Sequence, residues 1–114
     1  TEPIEASKLI KICEWEFEKT SPWERENICE VFQKMALKED LKLKNMLPLF
    51  FQVISGQSVS LPLFDAMEIL GQDLVRIRLR KALELLSTKG AGLSKKGLKT
   101  LEKEYMAKYG DRID

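Results

Sequence analysis

Residues 60–86, SLPLFDAMEILGQDLVRIRLRKALELL, constrain the fold most, because they read as two helices hinged at a glycine. Ser60 is placed to act as an N-cap, its hydroxyl accepting from an otherwise orphan amide, and Pro62 suits the first turn that follows. Leu63, Met67 and Leu70 recur at i, i+4 and i+7, one stripe of a short amphipathic helix. Gly71 supplies the left-handed conformation that ends a helix, and Asp73 is placed to cap the next. In that second helix Val75, Leu79, Ala82, Leu83 and Leu86 share a face. Arg76 and Arg80 stand one turn apart on a more polar side, beside Arg78 and Lys81. A polar loop, a short helix, a glycine break and a basic helix together offer exposed loop atoms to an anion-rich partner.

The rest of the chain keeps the helical period. Residues 4–19 predict a helix with Ala6, Leu9, Ile10, Cys13 and Phe17 along one side. Thr20-Ser21-Pro22 breaks it. Ser21, Pro22 and Glu24 then form a capping box for a second helix, reaching about Leu37 and burying Ile28, Val31, Phe32 and Met35. Trp15 and Trp23 lie near the corner between these helices and are expected to pack in the core or at that corner. A charged turn, Lys38-Glu39-Asp40, leads into LKLKNMLPLFFQVISG, where Leu43, Leu47, Phe50 and Ile54 form a stripe widened by Met46, Phe51 and Val53. This segment is expected to be the most buried helix. Pro48 falls inside it, so either the helix kinks or regular helix begins near Leu47. The apolar run here also fits a buried strand, but the chain offers no second strand to pair with it.

Gly56 ends this helix, and residues 57–60, QSVS, read as a short polar loop. After Leu86, STKGAGLSKKG has three glycines and little apolar content, which marks a linker. Ser94 then caps a last helix, with Leu93 and Leu98 spaced as a hydrophobic staple. Leu98, Leu101, Tyr105 and Tyr109 continue its stripe to Gly110. The expected fold is all-α, a compact bundle or cage of about six helices. Residues 1–88 form the helical domain, and residues 89–114 a linker and C-terminal helical extension.

With 114 residues the chain can build one hydrophobic core. No apolar run approaches the roughly 20 residues a spanning helix needs, and no signal-peptide pattern opens the chain. A start at Thr1, not methionine, points to a domain cut from something longer. Cys13 and Cys29 sit among apolar helical neighbours and read as small buried hydrophobes, not as a disulfide or half a metal site. A reducing, cytoplasmic location is the corresponding expectation. There is no histidine, which removes Ser-His and Cys-His nucleophile pairs and histidine metal sites. Carboxylates and lysines show no catalytic spacing, so the chain is expected to be non-catalytic. Its net charge of +1 hides an asymmetry. Residues 1–40 carry six cations and ten anions, residues 41–86 six and four, and residues 87–114 seven and four.

Six short pieces then occur in a telling order: Trp23-Glu24-Arg25-Glu26, Leu49-Phe50-Phe51, Ser55-Gly56, Ser60-Leu61-Pro62-Leu63, Ile69-Leu70-Gly71 and Arg76 to Leu83. From about Trp23 to Leu86 the chain resembles the C-terminal anticodon-binding domain of bacterial-type glutamyl-tRNA synthetases, which are class I aminoacyl-tRNA synthetases. The resemblance implies a monomeric helical cage that grips the anticodon loop of tRNA(Glu), joined to a catalytic core whose ATP-binding signatures this chain lacks. The parent would attach glutamate to tRNA using ATP and magnesium. This piece would supply recognition and hold no cofactor.

The resemblance also names residues. Ser60, Leu61 and Leu63, at the loop and the start of the short helix, are the implied contacts to anticodon bases, which suits the unstacked bases of a single-stranded loop. One of the two leucines is expected to be partly exposed. Arg76, Arg78, Arg80 and Lys81 are weighed as phosphate contacts, Arg76 and Arg80 foremost, together with Lys42 and Lys44; the plainer reading is a solvated face with Asp73–Arg76 and Arg80–Glu84 pairs. Two departures stand out. The family's arginine in a proline-leucine-arginine motif falls at Phe51, for which core packing is preferred over base stacking. The tail beyond Leu86 runs past where the family commonly ends. Lys95, Lys96, Lys99 and Lys103 in that tail read as solubilising. The competing class is a helical protein–protein interaction domain with no nucleic-acid role. A continuous basic groove along residues 42–81 would favour RNA, and an exposed apolar groove would favour protein.

Overall fold

The helical period carries through into six helices in the computed structural model, which describes residues 2–55 and 62–112. They are α1 (Pro3–Glu18), α2 (Arg25–Lys38), α3 (Leu43–Ser55), α4 (Leu63–Leu70), α5 (Gln72–Thr88) and α6 (Lys95–Tyr109). No strand occurs among the described residues, so the apolar run ahead of residue 55 is helical, and α3 continues through Pro48.

The most enclosed helix is α1, which corrects the expectation for α3. Ala6, Leu9, Ile10, Ile12, Cys13, Trp15 and Phe17 are all buried, and so are Ser7, Glu14 and Glu16. By contrast α3 buries Met46, Phe50 and Ile54 and leaves Lys44, Asn45, Pro48 and Gln52 exposed. An apolar stripe reports one buried face, whereas α1 is covered on several. Phe17 meets Phe32 of α2 edge-on, α5 packs along α1, and Trp15 lies under Tyr105 of α6 at 5.0 Å. Glu14 and Glu16 disguised the second face, because buried carboxylates look like solvent-facing ones in sequence.

Phe32 is the centre of the core. Its ring meets Phe17, Phe50 and Phe64 at 5.8, 4.9 and 5.3 Å, tying α2 to α1, α3 and α4. Such pairs add about 0.5–1.5 kcal/mol each beyond the area they bury.

The corner before α2 differs from the expected capping box. Glu24, not Ser21, holds the N-cap position, and no side chain caps it. Trp23 explains the delay: its indole N–H donates to the Met67 carbonyl at 3.1 Å and its ring meets Phe17 edge-on at 4.9 Å. Asn27 donates to the Pro22 carbonyl at 2.8 Å, fixing the same corner. Trp15 does not belong to this corner. Between α2 and α3, Asp40 takes a positive φ of 54° while the Leu41 amide donates back to Ala36.

Gly71, with φ at 89°, is the hinge between α4 and α5 as expected. It also occupies the N-cap position of α5, so Asp73 lies in the first turn without capping it. Gln72 turns inward and donates to the carbonyl of Phe17 at 2.7 Å, in the last turn of α1, where that oxygen also accepts from the Thr20 amide. Leu63 and Met67 of α4 and Val75 and Leu79 of α5 are buried.

Residues 89–94 are anchored. Ala91 is buried, and its carbonyl accepts from Ser7 at 2.7 Å. Gly92 passes so close to α5 that an added Cβ would lie 2.7 Å from the Ser87 Cβ. Ser94 caps α6 as expected, accepting from the Gly97 amide at 3.0 Å. Leu101, Tyr105 and Tyr109 then face the body of the domain.

A polar seam fastens α6. Tyr105 donates to Glu16 at 2.5 Å and Tyr109 to Glu39 at 2.8 Å, while Arg112 pairs with Glu102 and Glu18. Burial pushes the Glu16 carboxyl up, but the donors Tyr105, Lys34 and Lys19 outweigh it and leave its pKa lowered. Burial, and then the carboxylates they donate to, hold both tyrosines well above the ordinary phenol range. Cys13 and Cys29 are free thiols; Cys13 is buried and Cys29 half-buried. Burial raises the Cys13 thiol well above its ordinary value, and Glu16 and Glu14 add to the shift.

Candidate nucleic-acid interface

Because α5 touches both α1 and α3, its cations divide between two sides. Arg80 faces α1, where its Nε lies 3.2 Å from Glu14 Oε2, replacing the expected pairing with Glu84. Glu14 is almost fully enclosed and also takes Lys11 at 2.6 Å, so Arg80 supplies part of the charge that allows this carboxylate to be buried. Arg76 is half-buried, and its Nε is enclosed without a hydrogen-bond partner among the described residues.

Arg78 faces the other way and donates to the carbonyl of Ile54 at the end of α3. The last carbonyls of a helix lack intrahelical partners and carry partial negative charge, so a guanidinium here satisfies one and complements the helix dipole. Arg78 thereby fixes α5 against the point where the chain leaves α3. The next described residues, Pro62 and Leu63, open α4.

Beside Arg78 runs a groove of about 530 Å³ between α3 and α5. Ile10, Leu49, Val53, Ile54, Ala82 and Leu86 supply its apolar lining, and Gln52, Arg78, Lys81 and Lys89 its polar rim. Leu85, more than half exposed, also borders it. An apolar floor with a cationic rim suits a flat aromatic group attached to an anion. Lys89 and Leu85 had no part in the sequence reading. Their signal was the spacing of positions 78, 81, 85 and 89, which places all four on one face of a helix.

The remaining candidates are scattered. Lys42 and Lys44 are exposed at the start of α3, roughly 18 Å of helix away from Ile54. Near them a second cavity, about 350 Å³, is walled by Glu2, Glu5, Glu39 and Glu104 along with Asn45 and Met46. No continuous basic groove therefore joins Lys42 to Lys81 across the described residues. Phe51 is half-buried and packs against the core, and Leu63 is buried in it. Ser60 and Leu61, with the loop 57–60 and Gly56, lie outside the described residues. Among the described residues no three His, Cys, Asp or Glu side chains are grouped to hold a metal ion, and no helix is long and apolar enough to cross a membrane.

Comparison with known proteins adds the family. The chain is 44% identical over 101 residues to a glutamate–tRNA ligase of Ectopseudomonas mendocina, an alignment covering 89% of this chain and 20% of that protein. It is 42% identical over 102 residues to the glutamate–tRNA ligase of Pseudomonas paraeruginosa, and 44% identical over 96 residues to that of a Pseudomonas putida strain. The chain spans about one fifth of the length of these relatives. A family model described as an anticodon binding domain matches residues 1–83, which run from α1 through most of α5. With nearly three quarters of its length inside that model, the chain belongs to the anticodon binding domain family.

Proposed function

We propose that this domain holds the anticodon loop of tRNA(Glu) and serves as the recognition module of a glutamate–tRNA ligase. Under this reading a catalytic core elsewhere in the full protein binds ATP and magnesium and attaches glutamate to tRNA in the cytoplasm. The domain contributes affinity and choice of tRNA.

The single observation that carries the reading is the groove between α3 and α5, apolar inside and rimmed by Arg78, Lys81 and Lys89, at the C-terminal end of α3. Single-stranded loops are recognised through unstacked bases that pack on apolar or aromatic side chains, while nearby cations take the phosphates. The fold supplies both at one place. Amides in the first turn of α4, from Leu63 onward, lack intrahelical partners and can donate to base edges or phosphate oxygens. Leu63 then contributes through its backbone, since its side chain is in the core.

The test is a titration with the anticodon stem-loop of tRNA(Glu) and a stem-loop with scrambled anticodon, each at two salt concentrations. Preferential, salt-sensitive binding of the cognate loop, weakened by Lys81→Gln, is the expected result. Equal binding to both loops would leave a generic basic surface and overturn the anticodon reading.

A further inference from the structure

Outside residues 1–83, α6 presents a cationic face that the fold does not use. Lys95, Lys99 and Lys103 stand at i, i+4 and i+8 with Lys96 beside them, and all four are exposed. None of the four forms an ion pair among the described residues, whereas Lys108 and Arg112 farther along are paired with Glu39, Glu102 and Glu18. A surface depression of about 500 Å³ is lined by these four lysines and Thr100 alone. A neighbouring depression brings Glu104 together with Lys8 and Lys96.

Two local rules of helix stability are broken here. Like charges one turn apart repel, and Lys95–Lys99–Lys103 repeats that pairing twice. Cations in the first turn oppose the helix dipole, yet Lys95 and Lys96 begin α6 with no acidic residue among them. Both costs vanish when a polyanion lies along the face. Local rules broken without compensation inside the fold mark a functional surface.

We propose that this face binds the sugar-phosphate backbone of a structured RNA, outside the anticodon loop, as a second and sequence-independent contact. It rests on the proposed tRNA reading for the identity of the RNA. Lysine favours such a role: its ammonium is a point charge that takes phosphates without reading bases.

The experiment uses the full chain and the triple variant Lys95→Gln, Lys99→Gln, Lys103→Gln. Each is titrated across a salt series with a tRNA(Glu) transcript and the same transcript carrying a scrambled anticodon. In the triple variant both affinities are expected to fall by the same factor, with the slope of log affinity against log salt reduced by about two to three. The cognate-to-scrambled ratio stays constant, helix content is retained, and a Lys→Arg triple restores the slope. An unchanged slope overturns the proposal. If wild-type chain shows no cognate preference but the slope still falls, the anticodon reading fails while the backbone contact stands. Preference kept with slope unmoved is the reverse.

Discussion

The helices α5 and α6 carry similar numbers of cations, four and five, and divide them differently between the fold and the surface. In α5 the guanidiniums are built into the fold: Arg78 holds the end of α3 and Arg80 neutralises buried Glu14. In α6 the inner side is fastened by tyrosines and by Lys108, while the outer lysines are left without ion pairs among the described residues. Charge in a sequence thus says little about charge available to a ligand. What decides it is whether burial of the opposite charge has already claimed the cation.

The contrast can be broken at α6 itself. Trp15→Ala removes a buried ring from beneath Tyr105 and Arg112 and is expected to cost about 3–5 kcal/mol, read as a lowered urea midpoint. It should also loosen α6 enough for protease cleavage ahead of Lys95. A smaller effect sharpens the comparison directly. Arg78→Ala removes the side-chain donor to the Ile54 carbonyl and should destabilise by about 1–3 kcal/mol, whereas Lys99→Ala should stay within about 0.5 kcal/mol of wild type. Equal losses from both would mean that α5 and α6 do not differ as described.

The weakest effect concerns pH. Glu16 has a folded pKa below its ordinary 4.5, so its contribution is present above pH 4.5 and is lost as pH falls through the lowered folded value. Thermal midpoints measured from pH 6 down to pH 3 should therefore decline. Tyr105→Phe, which removes one donor to Glu16, should flatten that decline.

Most of the helical order was legible because it rests on local chemistry. The periodic stripes, Gly71 with its positive φ and Ser94 with its capped amide all act within a few residues. The errors arose where a distant partner overrode the local signal. Trp23 reaches Met67 and displaces the capping box, and Gln72 reaches Phe17 and takes the start of α5 from Asp73. Glu14 and Glu16 look like a solvent face until Arg80, Lys34 and Tyr105 arrive from other helices. The groove was legible only as far as the basic helix that walls it. Sequence order singles out the basic helix, and the structure divides its cations, with Arg78 and Lys81 bordering the groove and Arg80 turned to Glu14. No local pattern reveals which side of α5 meets α3.

An amide chemical-shift map of the full chain, titrated with the tRNA(Glu) anticodon stem-loop, would locate the binding face. The groove reading predicts that the largest changes fall on the amides of residues 52–54 and 63–66 and of Arg78, Lys81 and Lys89. Changes centred instead on Lys42, Lys44 and the first turns of α1, beside the carboxylate-walled cavity, would contradict it.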